Sequence, residues 1–310
     1  MSAFVVVNPA SGSTSREWRG VENALSAIYP YMSVAFTRAR GDAAALVTNA
    51  LREGHHEIVA VGGDGTINEV VNGFFDRGGA ISPDAVLAFV CCGAAGDFKK
   101  AFGIVETGVQ AAEHLRHASV RAIDVGLVSF LSKTGMARTR AFANIASFGL
   151  SGEIADSVSR AVVSRLFGAP FAFAFHSTLG LLTYRGRKVR LIVDDVYDEI
   201  VAISAVAVAN GSWFGGGMQV APDAKPDDGL FDVVIFADAP KRRMLADMKF
   251  IYSGEHLGNP NVRVIRGRKV VAAPVAETRG RAVLIETDGE AVGRLPATFE
   301  VLPRALNVRC

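Results

Sequence analysis

Gly62-Gly63-Asp64-Gly65-Thr66 separates the apolar run IVAV from the segment INEVVNGFF, and a glycine cluster at such a strand-to-helix switch limits the possible folds sharply. Glycines let backbone N–H groups curl around an anion, and the helix that follows presents unpaired N–H groups and the positive end of its dipole. A phosphate is the expected ligand, although a tight turn with a surface Asp would use the same residues. Neither GxxxxGK[ST] nor GxGxxG occurs, which argues against a P-loop ATPase, a protein kinase and an ordinary dinucleotide enzyme. The surrounding pattern is strand-like at 4–7, 31–36, 57–61 and 86–90 and helix-like at 17–28, 43–53 and 67–75. That alternation predicts a parallel sheet covered by helices, with its ligand crevice outside the carboxyl ends of the strands.

Beyond about residue 124 the texture changes to short β-type runs at 141–145, 189–193, 200–209, 231–236, 262–265, 269–273 and 282–287, interrupted by helical stretches at 153–183 and 242–256. Such runs between Gly, Asp and Pro turns predict an antiparallel sandwich. The expected organisation is an α/β nucleotide-binding domain at 1–125, completed by 297–310, and a β-sandwich domain at 126–296. Half of the 310 residues are apolar, enough for two cores. With 33 Lys and Arg against 31 Asp and Glu, no global field draws the chain to nucleic acid. Three cysteines, two of them adjacent at Cys91 and Cys92, do not make a disulfide scaffold. No secretion signal is read at the N-terminus, and a cytoplasmic setting is expected. The apolar stretch 161–182 is broken by Arg165, Pro170 and His176; burial between domains, or lining a lipid-binding cleft, suits it better than crossing a bilayer.

Eight strings follow one another in an order that resembles the diacylglycerol kinase catalytic-domain family, which includes sphingosine and ceramide kinases and is distantly similar to NAD kinases and phosphofructokinases. They are Asn8-Pro9-Ala10-Ser11-Gly12; Gly62 to Thr66 with Asn68-Glu69; Gly93 with Asp97-Phe98; Asp124-Val125-Gly126; Asn144 with Gly149; Asn210-Gly211 with Gly215 to Gly217; Pro222-Asp223-Ala224 with Asp227-Asp228-Gly229-Leu230; and Asp288-Gly289-Glu290. The resemblance implies a phosphofructokinase/NAD-kinase-like N-terminal domain, an antiparallel β-sandwich, and an ATP- and Mg²⁺-dependent kinase acting on a lipid hydroxyl at the inner face of a membrane. It implies that Asn8, Ser11, Gly62, Gly63, Asp64, Gly65, Thr66, Gly93 and Asp97 surround the nucleotide phosphates. Thr37, with Gly41 and Asp42, is implied near base and ribose. Ser13 stands where many relatives place Lys; Arg16 or Arg19 could neutralise phosphate instead, with a solvated helix face as the alternative for both. Asp288 is implied as the base that orients the acceptor hydroxyl and takes its proton, with Glu290 in support; a plain Asp-Gly hairpin turn would read the same. Asp64, Asp97 and Asp124 are expected at a Mg²⁺ cluster on which the base converges. A second Mg²⁺ is implied at Asp228 with the carbonyls of Lys225 and Leu230, where a metal-free Asp-rich turn is the alternative.

The chain departs from the family where relatives show G-T-x-N-D-F. Here Gly93-Ala94-Ala95-Gly96-Asp97-Phe98 lacks the Thr and the Asn, so altered nucleotide recognition is expected. A soluble-substrate kinase related to NAD kinase and a catalytically weak lipid-binding homologue stay open at this level. So do the identity of the lipid and the oligomeric state, a homodimer included.

Overall fold

The computed structural model describes residues 2–76, 78–92, 96–160, 180, 183–275 and 282–310, with 159 and 160 described by backbone alone. The chain divides into two compact units: 1–125 with 141–143 and 302–310, and 126–140 with 144–301.

The first unit runs β1 (Ser2–Val7), α1 (Thr14–Ser26), β2 (Tyr31–Phe36), α2 (Asp42–Arg52), β3 (Glu57–Gly62), α3 (Asp64–Gly73), β4 (Val86–Cys91), α4 (Asp97–Lys100) and α5 (Gly108–His114). Its strands are parallel in the order β2-β1-β3-β4, and residues 307–309 add a further parallel strand beside β4. Alternate residues of each strand face opposite sides of the sheet. Ile58, Ala60, Leu87 and Phe89 therefore pack with Val47, Leu51, Val70 and Val71 of α2 and α3. Val59, Val61, Ala88 and Val90 pack with Val21 and Leu25 of α1 and with Ala111 and Ala112 of α5. Burial on both faces explains the nearly unbroken apolar strands, and each fully buried Val or Leu contributes about 1.5–3 kcal/mol. The same alternation sends the free thiols of Cys91 and Cys92 to opposite faces.

The second unit follows as β5 (Val120–Leu131), which starts in the first unit, then β6 (Ala137–Phe142), β7 (Ile145–Gly149), α6 (Leu150–Arg160), β8 (Arg187–Val193), β9 (Tyr197–Ala209), β10 (Phe231–Ala237), α7 (Lys241–Ile251), β11 (Val262–Gly267), β12 (Lys269–Pro274), β13 (Leu284–Thr287) and β14 (Glu290–Arg309). The order β11-β10-β9-β8-β12-β14 is antiparallel throughout. β7 pairs with β9 on one side and with β13 on the other, and β13 pairs with β14.

Three expectations are corrected. The strand expected at 141–145 is interrupted at 143–144, between β6 and β7, where the Asn144 carbonyl accepts the N–H groups of Asn210 and Gly211, both at 2.9 Å. The helix expected at 242–256 ends at Ile251, and a 3₁₀ turn, Glu255–Gly258, follows Gly254, whose φ of 77° reverses the chain. The helix expected from Ile67 begins at Asp64, so Asp64, Gly65 and Thr66 form its first turn. The apolar stretch expected at 161–182 lies, apart from Gly180, outside the described residues. No helix among the described residues is long and apolar enough to cross a membrane.

Candidate active site

In the first unit the register aligns Val7 with both Phe36 and Val61, so Asn8, Thr37 and the glycine turn all follow the carboxyl edge of the sheet. Gly63 is extended, with φ −104° and ψ −174°, and caps α3 without a side-chain bond; Ser13 caps α1, again without one. Two helix N-termini are therefore left without a side-chain acceptor. The loop before α1 is tied to the first turn of α3: Asn8 Nδ2 donates to Thr66 Oγ1 at 3.0 Å while its Oδ1 accepts the Ala10 N–H. A Cβ at Gly62 would stand 2.5 Å from Thr66 Oγ1, and one at Gly63 would stand 2.9 Å from Ser11 Oγ, whereas a Cβ at Gly65 would meet nothing within 4 Å. Packing thus requires glycine at 62, a Cβ at 63 would need Ser11 to turn aside, and Gly65 opens outward. Ser13 Oγ is buried and makes no hydrogen bond. Paired dipole ends with an orphaned hydroxyl suit a phosphate.

Around this edge, Arg16 is exposed on α1, and the Thr37 N–H donates to Val7 O. The Asp42 carboxylate accepts the N–H groups of Arg38 and Ala39, so it shapes the loop rather than standing open to a base. Glu69, whose role the sequence reading did not assign, accepts the N–H groups of Gly41 and Ala43. Gly41 at φ 88° is the local signal that a loop there would need such an anchor.

Asp64 accepts the N–H groups of Asp97 and Phe98 at 3.1 and 3.2 Å, and Asp97 pairs with Lys100 at 2.9 Å. Burial pushes the Asp64 carboxyl up, those two N–H bonds pull it down, and neighbouring Asp97 pushes it up again. Mg²⁺, which uses one or two carboxylates with water and phosphate oxygens, would fit there where Lys100 gives up its place on Asp97. Asp124 is fully buried and accepts the Arg304 N–H at 2.7 Å, anchoring the returning chain. Among the described residues no group of three or more His, Cys, Asp or Glu can hold a metal ion. Gly93, Ala94 and Ala95 lie outside the described residues. Gly96 has φ 144°, and a Cβ there would stand 3.0 Å from Lys99 Cε, so the residue replacing the family Asn has a backbone that favours glycine.

In the second unit the expected metal loop contains a cation of its own. Arg266 Nε donates to Asp232 Oδ1 at 2.8 Å, its Nη2 pairs with Asp228 Oδ2, and Asp228 Oδ1 accepts the Leu230 N–H. Lys225 is exposed on the same loop. With one oxygen on an amide and the other on a guanidinium, Asp228 does not fit a divalent cation unless Arg266 leaves.

The Asp288-Gly289 turn has positive φ at both residues, 46° and 86°, which is the backbone of a tight hairpin turn. Its surroundings set it apart. Asp288 Oδ1 accepts the N–H groups of Asn144 and Ile145 at 3.2 and 2.9 Å, and the Asp288 N–H donates to Ile145 O. A partly exposed carboxylate is therefore held at one oxygen by two amides. Glu290 pairs with Arg140. Glu286, absent from the sequence-level candidates, lies fully buried beneath the turn and accepts the Gly289 N–H at 2.8 Å.

Residues 2–128 match the family model described as the diacylglycerol kinase catalytic domain, and 144–310 match the YegS C-terminal NAD kinase beta sandwich-like domain. The chain belongs to this lipid kinase family. It is 30% identical over 290 residues to a protein of Pseudomonas syringae named "Probable lipid kinase YegS-like", covering 89% of this chain and 83% of the relative. It is 25% identical to a diacylglycerol kinase of Staphylococcus saprophyticus, covering 99% and 94%. A crystal structure of a diacylglycerol kinase from Bacillus anthracis superposes with TM-score 0.71 at 19% identity, covering 99% and 96%; yeast NADH kinase does so with TM-score 0.51 at 10% identity, covering 100% and 83%. Both likenesses speak for the fold. As a family member the chain is a kinase with an α/β N-terminal domain and an NAD-kinase-like β-sandwich.

Proposed function

We propose that this kinase transfers the γ-phosphate of ATP to a hydroxyl of a membrane lipid of the diacylglycerol, ceramide or sphingoid type, working as a peripheral protein at the cytoplasmic face. The observation that carries the reading is the pair of helix N-termini without side-chain caps, with the loop before α1 bonded to α3 through Asn8 and Thr66 and with Gly65 exposed on the first turn of α3. Backbone N–H groups there would take the phosphates, and Ser11 and Ser13 would add hydroxyls. Asp64 and Asp97 would hold Mg²⁺, which when bound offsets triphosphate charge.

Asp288 supplies the acceptor side. A lipid hydroxyl is a poor nucleophile at neutral pH. A carboxylate fixed by the Asn144 and Ile145 amides can align that hydroxyl and take its proton as the new O–P bond forms and ADP leaves. Arg140 keeps Glu290 oriented beside it.

Labelled ATP and Mg²⁺ with a panel of diacylglycerol, ceramide, sphingosine and NAD test the reading, run on wild type and Asp288→Asn. Lipid-dependent label transfer is expected, reduced about 10²- to 10⁴-fold by the substitution with unchanged thermal stability. Transfer to NAD alone would overturn the lipid reading, and a fully active Asn variant would remove Asp288 from the mechanism.

A further inference from the structure

We propose that Glu286 is the positioning residue for Asp288, holding the 288–289 turn through Gly289 while Asn144 and Ile145 hold it through Asp288 itself. The inference rests on the assignment of Asp288 as the base.

Glu286 is fully buried on β13, opposite Ser147 of β7 in an antiparallel pair. One carboxyl oxygen accepts the Gly289 N–H at 2.8 Å; the other meets Ser147 Oγ, itself 2.6 Å from Ser151 Oγ in the first turn of α6. Its partners are thus hydroxyl and amide groups, not a cation. A carboxyl taken wholly out of water without a counter-charge is an expensive choice for a strand interior, where Val or Thr would pack as well. Its position gives the reason. Asp288 has φ 46°, which an Asp-Gly turn adopts readily, so the shape of the turn is local while the direction of its carboxylate depends on what holds the turn. On one side the Asp288 carboxylate and N–H are tied to Asn144 and Ile145. On the other, exposed Gly289 would have only water as acceptor for its N–H without Glu286, and the 288–289 peptide could rotate, carrying the Asp288 carboxylate with it.

Burial pushes the Glu286 carboxyl up to about 8, so near neutral pH it is held mostly as the acid. In that form it places little charge beside Asp288 and can donate to Ser147. Gln reproduces this pattern, with an oxygen for Gly289 and an N–H for Ser147.

The test compares Glu286→Gln and Glu286→Ala with wild type in steady-state kinetics and in backbone amide exchange at Gly289. Glu286→Ala should lose about 10²-fold in kcat, the scale expected for a misplacement near 1 Å, with KM for ATP unchanged and Gly289 protection lost. Glu286→Gln should stay within about threefold of wild type on the same scale and keep the protection. Equal kcat losses in both variants, or Gly289 protected in Glu286→Ala as in wild type, would overturn the proposal. Should wild type phosphorylate none of the lipids, the proposed function fails, and exchange at Gly289 still decides whether Glu286 holds the turn.

Discussion

Replacing Gly65 by Val separates the nucleotide site from the fold, because the three glycines of the turn differ in what surrounds them. A Cβ at position 65 meets nothing within 4 Å, so the folded chain accepts the side chain, and Gly and Val differ by only a few tenths of a kcal/mol in helix propensity. The melting temperature should move by under about 2 °C. Phosphate oxygens arriving at the first turn of α3 would meet the new methyl groups instead of open space. Charge-assisted hydrogen bonds contribute about 1.5–3 kcal/mol each. Losing two costs about 3–6 kcal/mol, or roughly 10²- to 10⁴-fold in ATP affinity. Gly62→Ala is the contrasting control: its Cβ would press to 2.5 Å of Thr66 Oγ1, disturbing the Asn8–Thr66 bond and destabilising the chain by about 1–3 kcal/mol. Calorimetry with ATP and a thermal melt read both effects. A folded Gly65→Val chain that binds ATP with wild-type affinity would refute phosphate binding at this turn.

Three further outcomes follow from the second unit. Arg266→Gln should lower stability by about 1–2 kcal/mol after solvent screening, and added Mg²⁺ should restore part of it where wild type scarcely responds; a variant indifferent to Mg²⁺ in thermal melts would mean that the Asp228–Asp232 loop needs no cation. Glu286 has its carboxyl raised from 4.5 to about 8, so the folded chain binds a proton that the unfolded chain releases. Its contribution is full below about pH 4.5 and declines as pH rises toward 8, and denaturant melts of Glu286→Gln should show a flatter slope across that window. Finally, α7 buries no residue fully; Leu245 on it and Tyr252 just after it are exposed, on a segment that also exposes Arg242, Arg243 and Lys249. Replacing Lys241, Arg242 and Arg243 by Gln should weaken binding to anionic vesicles by up to about 1 kcal/mol per charge while sparing activity on a short-chain soluble acceptor; equal losses on both substrates would point to a folding or active-site defect.

Amino-acid order alone was enough for the strand-helix alternation of the first unit, the glycine turn after β3 and the positive-φ turn at Asp288-Gly289, because each depends on side-chain periodicity or steric limits within a few residues. The carboxylates behave otherwise. Asp124 and Glu286 sit in strand-like runs that look alike in sequence, yet one anchors Arg304 from 180 residues away and the other lies under the Gly289 amide because β13 pairs with β7. Arg266 reaches Asp228 across 38 positions, and Asp288 receives the Asn144 amide across 144. No local propensity encodes such partners. They exist only after loop closure has been offset by the burial that strand pairing brings, so which acid is a fold anchor, which a neutralised turn and which a candidate base was decided by the tertiary structure.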